Sequence, residues 1–441
     1  MNRPTQASRR QFLRTTLAGS VALPLADALD MVGAAAAEPT AKSKVFRIDG
    51  CPIHDGQRRH IGVDALLHLL SIHGTKFYKS SRHGALSGPA GLIAADDVVI
   101  LKVNAQWKCR GGTNTDMLRG LIHRILRHPD GFTGEVVIYE NGQGRPASFD
   151  GIHNDSAKTE YRHFPELDGK AIVNAEDQQT TTIDYLVQKE FSGKRVSSFL
   201  MDPFSNVWIL ENDHTANGYR RIGRSGTPCI SYPCFTTTHG NRVELREGLW
   251  TGSGYAQNIK LIHCAVLKDH SGDIGMTGAL KIVYGTLSMF DGTSARRHYE
   301  DLGSQCARMW TEVRPADLNI LDCIWVSHGA TEINGKHVSG CIGYPPYLTS
   351  RQNVLLAGVD PLAIDSHASK RILVPLGGKN AAAHDLGNNP RLGSVYRQAQ
   401  DVINRAGGIR GSAVHLGEEG VAVIAAQALN DAAAKAWRNR I

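Results

Sequence analysis

Two short apolar runs, 97–103 (Asp-Val-Val-Ile-Leu-Lys-Val) and 135–139 (Glu-Val-Val-Ile-Tyr), bracket a Gly-rich loop and a stretch, 114–128, whose apolar residues recur at helical intervals. Continuous rather than alternating apolar residues are what strands covered on both faces require. A strand, a helix and a second strand joined in this way close through a right-handed crossover, which makes the two strands parallel. Further strand-like runs at 207–210, 259–267, 318–326 and 354–357 interleave with helical patterns at 63–73, 183–190, 361–373, 393–406 and 420–437. That order predicts an α/β fold: a mainly parallel sheet with helices on both faces, and a loop-rich insertion or cap over 142–256.

The first 37 residues stand apart from this pattern. Arg3, Arg9, Arg10 and Arg14 make a basic start, and Ser8-Arg-Arg-Gln-Phe-Leu-Arg14 has the form of a twin-arginine export signal. The apolar stretch 17–25 is interrupted by Gly19, Ser20 and Pro24, short of the about 20 residues a membrane span needs. Ala34 to Ala37 offers an A-x-A cleavage site. The expectation is a signal peptide over 1–37, export by the twin-arginine translocase to the periplasm, and no stable membrane span in the secreted, mature chain. The remainder divides into an N-terminal segment, 38–94, an α/β domain, 95–375, and a C-terminal helical segment, 376–441.

The whole chain of 441 residues carries a formal charge of +7. Removing 1–37, with four arginines and two aspartates, leaves +5, and no Lys/Arg run points to nucleic acid. All eight cysteines lie beyond residue 37. There is no C-x-x-C and no ferredoxin-type run, which argues against an iron–sulfur cluster. Cys264 and Cys323 sit in apolar runs and read as buried thiols. Cys229 and Cys234, in Pro228-Cys-Ile-Ser-Tyr-Pro-Cys234, read as a loop that could hold a disulfide or, less simply, a metal.

In open parallel sheets ligands bind beyond the carboxyl ends of the strands. The first run ends in Lys102 and Asn104, and its Gly-rich loop brings Thr113, Asn114 and Thr115 to a helix start, where an N-cap and free backbone N–H groups could hold a phosphate or carboxylate. The loop matches neither phosphate-binding glycine motif. The second run ends in Glu140, a candidate base or ligand. The densest cluster is Lys268-Asp-His270, with Lys281 beyond, where amine, acid and imidazole could shift one another's protonation. Asp322, among apolar neighbours, needs a partner, which Lys102, Lys268 or Lys281 could supply. Asp360 reads as an N-cap ahead of Pro361, with Asp365 one turn later.

These segments together resemble the family catalogued as domain of unknown function 362. The resemblance rests on Val98-Val-Ile-Leu-Lys-Val-Asn104 with Gly112-Thr-Asn-Thr-Asp116, on Val136-Val-Ile-Tyr-Glu140, on Leu267-Lys-Asp-His270 with Gly278-Ala-Leu-Lys-Ile-Val-Tyr-Gly285, and on Leu318-Asn-Ile-Leu-Asp322 with Gly358-Val-Asp-Pro-Leu-Ala-Ile-Asp365. It covers roughly 95–375; Asp269 and Ile282-Val283 depart from the family's usual residues. The family is similar in layout to the lactate racemase type of α/β protein, a likeness of fold only. The residues themselves point to an enzyme acting on a small anionic organic substrate. Its catalytic groups would be Glu140, His270 and Asp322, and its binding groups Lys102, Asn104, Thr113, Thr115, Lys268, Lys281 and Asp365. A metal or redox cofactor loaded before export would make it an oxidoreductase; without one, acid–base chemistry remains. The alternative is a ligand-binding or maturation factor that makes no bonds.

Overall fold

The apolar run 98–103 becomes a strand whose side chains divide between two cores. Val98 and Ile100 join one buried cluster, while Val99, Leu101 and Val103 join the other. That division follows from the two-residue repeat of a strand and explains why the run is apolar at every position but Lys102. The computed structural model describes residues 42–428 except 52, 55–58, 143–148, 152–163, 168, 177–180, 202–217, 225–226, 271–273, 294–296, 334–335 and 339. The export segment 1–37 and the strand candidate 207–210 lie outside the described residues.

Nine strands form the main sheet: β1 (Ser43–Asp49), β2 (Val98–Val103), β3 (Glu135–Asn141), β4 (Val196–Met201), β5 (Ile259–His270), β6 (Gly275–Thr277), β7 (Leu318–Ser327), β8 (Thr349–Gly358) and β9 (Val421–Gln427). Their order in space is β9-β1-β8-β7-β5-β2-β3-β4, with β6 folded back on β5. From β7 through β5, β2 and β3 to β4 every pairing is parallel, as is β1 with β9. The pairs β1–β8, β7–β8 and β5–β6 are antiparallel. The sheet is therefore mixed but mostly parallel, and the expected α/β class holds.

Helices cover both faces. Helices α1 (Ile61–Ile72) and α2 (Thr115–Leu126) bury Val63, Leu66, Met117 and Leu121 in one cluster. On the other face, α3 (Leu302–Arg308), α4 (Pro361–Ala368) and α5 (Pro390–Arg405) bury Leu302, Ile364 and Ile403. The caps are those the sequence marks. Asn114 accepts from Met117 N–H at the start of α2, and Asp360, ahead of Pro361, accepts from Leu362 and Ala363 N–H.

Three expectations need correction. The C-terminal stretch read as a helix over 420–437 begins as a strand over Val421–Gln427, in register with β1 from Val421 opposite Ser43 to Gln427 opposite Asp49, and its remainder, 429–437, lies outside the described residues. Its alanines favour a helix weakly, whereas β-branched Val421, Val423 and Ile424 fit a vacant sheet edge, and pairing overrides propensity. Second, 142–256 is not loop alone, since strands take up part of its described residues. Val196–Met201 is β4, and Tyr219–Arg224, Thr227–Thr236, Arg242–Glu244, Gly248–Trp250 and Tyr255–Ala256 form an antiparallel meander. Phe235 of the meander stacks on Tyr139 and Phe199, with ring centroids 5.6 and 4.1 Å apart. Third, Cys229 and Cys234 lie on one strand, Thr227–Thr236, and no disulfide joins them. Five strand residues separate two Cα atoms by about 16 Å, far beyond disulfide reach.

Candidate functional site

Strand β2 carries Lys102 one residue before its end, with its side chain fully buried. Its Nζ donates to Glu140 Oε1 at 2.8 Å and to Val103 O at 2.7 Å. Glu140, near the end of neighbouring β3, also accepts from Asn141 N–H at Oε1 and from Ala105 N–H at Oε2, each at 2.9 Å. Burial drives the lysine down and the carboxylate up, and the mutual attraction opposes both shifts. Four hydrogen bonds at this charged pair make the ionised form the one we assign. Gly285 lies over it: a Cβ there would come within 2.6 Å of Glu140 Oε1 and 2.7 Å of Lys102 Nζ.

Lys268 is arranged differently. The last pair of β5 with β2 is Cys264–Val103, yet β5 continues to His270, so Lys268 lies past the tip of β2. There it meets the loop after β2, and its Nζ donates to Gly111 O. It is 3% exposed, and that carbonyl is its one hydrogen-bond partner among the described residues. No carboxylate there lies within ion-pair distance of it. Burial lowers its pKa to about 8; nearby Cys341 and Glu140 raise it and Lys102 lowers it further. Residues 340–343 pack on the same loop, so that a Cβ on Gly111 would strike the Cys341 carbonyl.

Asp322 lies on β7 with no exposed surface. The expected lysine partner is not there. Asp322 Oδ2 accepts from Asn114 N–H at 2.9 Å and from Asn174 Nδ2 at 3.2 Å, and Oδ1 accepts from Ile324 N–H at 2.9 Å. The N–H of Asn114, the N-cap of α2, together with the Asn174 amide and Ile324 N–H, supplies the partial positive charge that a lysine would have brought. Burial still raises the carboxyl to about 7, against the Ile324 and Asn114 N–H bonds and the Arg110 charge. Arg110 donates to Asn174 Oδ1 at 2.9 Å and to Ala175 O at 2.8 Å, and stacks 4.0 Å from the Trp325 ring centroid. Arg110 belongs to the Gly-rich loop already visible in sequence; Asn174, 52 positions beyond Ile122 on another segment, carries no local signal.

Other candidates brace the framework. Thr113 Oγ1 donates to Cys264 O at 2.6 Å and accepts from Asn104 N–H at 2.8 Å, while Asn104 Oδ1 accepts from Val266 N–H at 3.0 Å. These bonds stitch the loop to β5. Thr115 N–H donates to Asn174 O at 2.9 Å. Asp365 accepts from Ala279 N–H (2.6 Å), Leu280 N–H (2.8 Å) and Tyr396 O–H (2.7 Å), and burial raises it to about 6. It therefore anchors the turn that precedes Lys281, which is half-buried at the start of Lys281–Thr286. His270 closes β5 opposite Gly275, its ring 5.2 Å from that of His298.

Between the Gly-rich loop and Asn174 lies a cavity of about 30 Å³, lined in part by Asn104, Thr113, Thr115, Trp107 and Phe149. It has room for one or two waters. A larger groove of about 310 Å³ runs beside Ser366, His367, Arg371 and Glu418 and shares no residue with the strand tips. Among the described residues no three His, Cys, Asp or Glu side chains converge as a metal-ligand set, and no helix is long and apolar enough to cross a membrane. Cys264 and Cys323 are fully buried, and burial pushes both thiols up.

The curated proteins and the solved structures contain no match to this chain. Residues 222–370, from the meander through β5, β7 and β8 to just beyond α4, match the family described as Domain of unknown function (DUF362).

Proposed function

We propose that the protein is an exported enzyme that carries out acid–base chemistry on a small anionic organic substrate at the tips of β2, β3 and β5. The observation that carries this reading is Lys268, a buried amine with a pKa lowered to about 8 at a strand tip, with a single hydrogen bond, to a backbone carbonyl, among the described residues. An amine that ionises around pH 8 can take and return a proton at ordinary pH. The ion pair of Lys102 and Glu140 supplies fixed charge beside it, and Asp322, raised to about 7, is a second group able to hold a proton. The basic, acid-free start with its arginine pair supports export to the periplasm by the twin-arginine route.

Proton abstraction next to a carboxylate leaves a signature that needs no product assay. Wild-type protein in D2O with lactate, malate or glycerate should place deuterium on the carbon beside the carboxylate, read by proton NMR. Lys268→Met should abolish this exchange. Exchange that persists in Lys268→Met removes the lysine from the reaction. Binding of these acids without exchange, lost in Lys268→Met, would make the protein a binding factor instead.

A further inference from the structure

Strand β6 places one more under-used group beside Lys268. In the β5–β6 hairpin Lys268 pairs with Thr277, so the two side chains stand side by side on one face of the ribbon. Thr277 is 5% exposed, and its Oγ1 is a buried hydroxyl with no hydrogen-bond partner among the described residues. A buried hydroxyl left in this way costs about 1–3 kcal/mol, which a bound molecule would recover. The flanking residues Val266, Leu267, Ile274 and Met276 are all buried and apolar. An amine with no carboxylate partner among the described residues and an orphaned hydroxyl therefore meet on one face of the ribbon, which buried Val266, two residues before Lys268, shares. Lys102 is just as buried, but its pairing with Glu140 at 2.8 Å leaves no such vacancy.

From this geometry we infer that Lys268 condenses with the carbonyl group of a small carbonyl compound, a 2-oxo acid in the anionic case, to form an iminium. Thr277 Oγ1 would bond the carbonyl oxygen as it departs. The free amine of Lys268 attacks the carbonyl carbon and an Nζ–C bond forms. The oxygen then leaves as water, with one proton from Nζ and one from solvent, and no electron changes hands. Burial without a counter-ion is the environment that keeps a lysine in this nucleophilic form. The inference rests on the Lys268 site of the proposed function and adds a covalent step to it.

The test is trapping. Full-length purified protein is mixed with pyruvate, glyoxylate or acetaldehyde and reduced with borohydride, and intact mass and peptide mapping follow. The expected result is one reduced adduct per chain on Lys268, lost in Lys268→Arg and weakened in Thr277→Val. An adduct with the two oxo acids but not acetaldehyde makes the substrate anionic, whereas one with all three makes the carbonyl alone sufficient. No adduct on Lys268 with any probe, or adducts spread equally over other lysines, overturns the inference. Because mapping is done on the wild-type chain, it decides the matter even if a variant fails to fold. Trapping that fails while lactate exchange still requires Lys268 leaves acid–base catalysis standing and removes only the covalent step. Trapping without exchange does the reverse.

Discussion

Lys102 and Lys268 stand at the tips of adjacent parallel strands, and both are all but removed from water. Their surroundings make them different groups. Lys102 faces Glu140 across 2.8 Å, in a pair whose remaining acceptors are filled by backbone N–H groups. Lys268 overhangs its neighbour strand and meets only the Gly111 carbonyl among the described residues. The cost of burial is met by a counter-charge in one case and left standing in the other. A paired buried lysine is a structural cation, while an unpaired one is a proton carrier.

The largest expected effect breaks the comparison at its paired end. Lys102→Met leaves Glu140 buried without its counter-ion and should cost about 3–5 kcal/mol, read by urea denaturation at pH 7. A change under about 1 kcal/mol would mean that Glu140 is already neutral and the contrast false.

Lys268→Met should move stability the other way. The folded chain holds this lysine at about 8 against 10.5 for an exposed lysine, so below pH 8 both states are protonated and the fold bears the whole cost of the buried cation. Between those values the unfolded chain binds more protons, and wild-type stability rises with pH. The variant should therefore be more stable at pH 7 by up to about 3 kcal/mol, and that lead should shrink as pH climbs through 8 to 10.5. A lead that stays flat with pH would show that Lys268 titrates normally.

Asp322→Asn tests whether helix amides replace a lysine. An amide NH2 would confront at least one of the three donors to Asp322, costing about 1–3 kcal/mol. The carboxyl is raised from 3.8 to about 7, so it is the folded state that holds the extra proton in this window. Wild-type stability should then fall as pH rises from about 4 to 7, and this slope should be smaller in the variant. Chemical denaturation across that range would show it. Tyr396→Phe should have the smallest effect. It removes one of three donors to Asp365 and should cost about 1 kcal/mol, seen as a modest fall in the denaturation midpoint. No change would mean that the Ala279 and Leu280 amides alone hold the turn.

Legibility in the sequence followed the range of the forces involved. The runs at 98–103, 135–139, 259–267 and 318–326 needed no partner to declare themselves, because burial on both faces makes most of their residues apolar. Asn114 and Asp360 were readable as caps because a cap bonds within its own first turn. The strand Val421–Gln427 was not, since its Ala-rich sequence suits either structure and β1, 378 positions earlier (421 − 43), makes the choice. Cys229 and Cys234 looked like a loop pair because two prolines flank them, yet an antiparallel neighbour extends the whole segment.

The same division runs through the candidate site. The sequence by itself determined which chemical groups lie at the carboxyl ends of strands, because a parallel sheet sends the residue after each apolar run to one edge; Lys102, Glu140 and Lys268 all follow from that. Only the tertiary structure decided which of them is neutralised. It set Glu140 against Lys102, gave Asp322 to the amides of a helix rather than to a lysine, and left Lys268 beside the unbonded hydroxyl of Thr277. The physical reason is distance. Coulomb and hydrogen-bond energies fall off within a few ångströms, and which groups come that close depends on strand register and on how far one strand outruns the next.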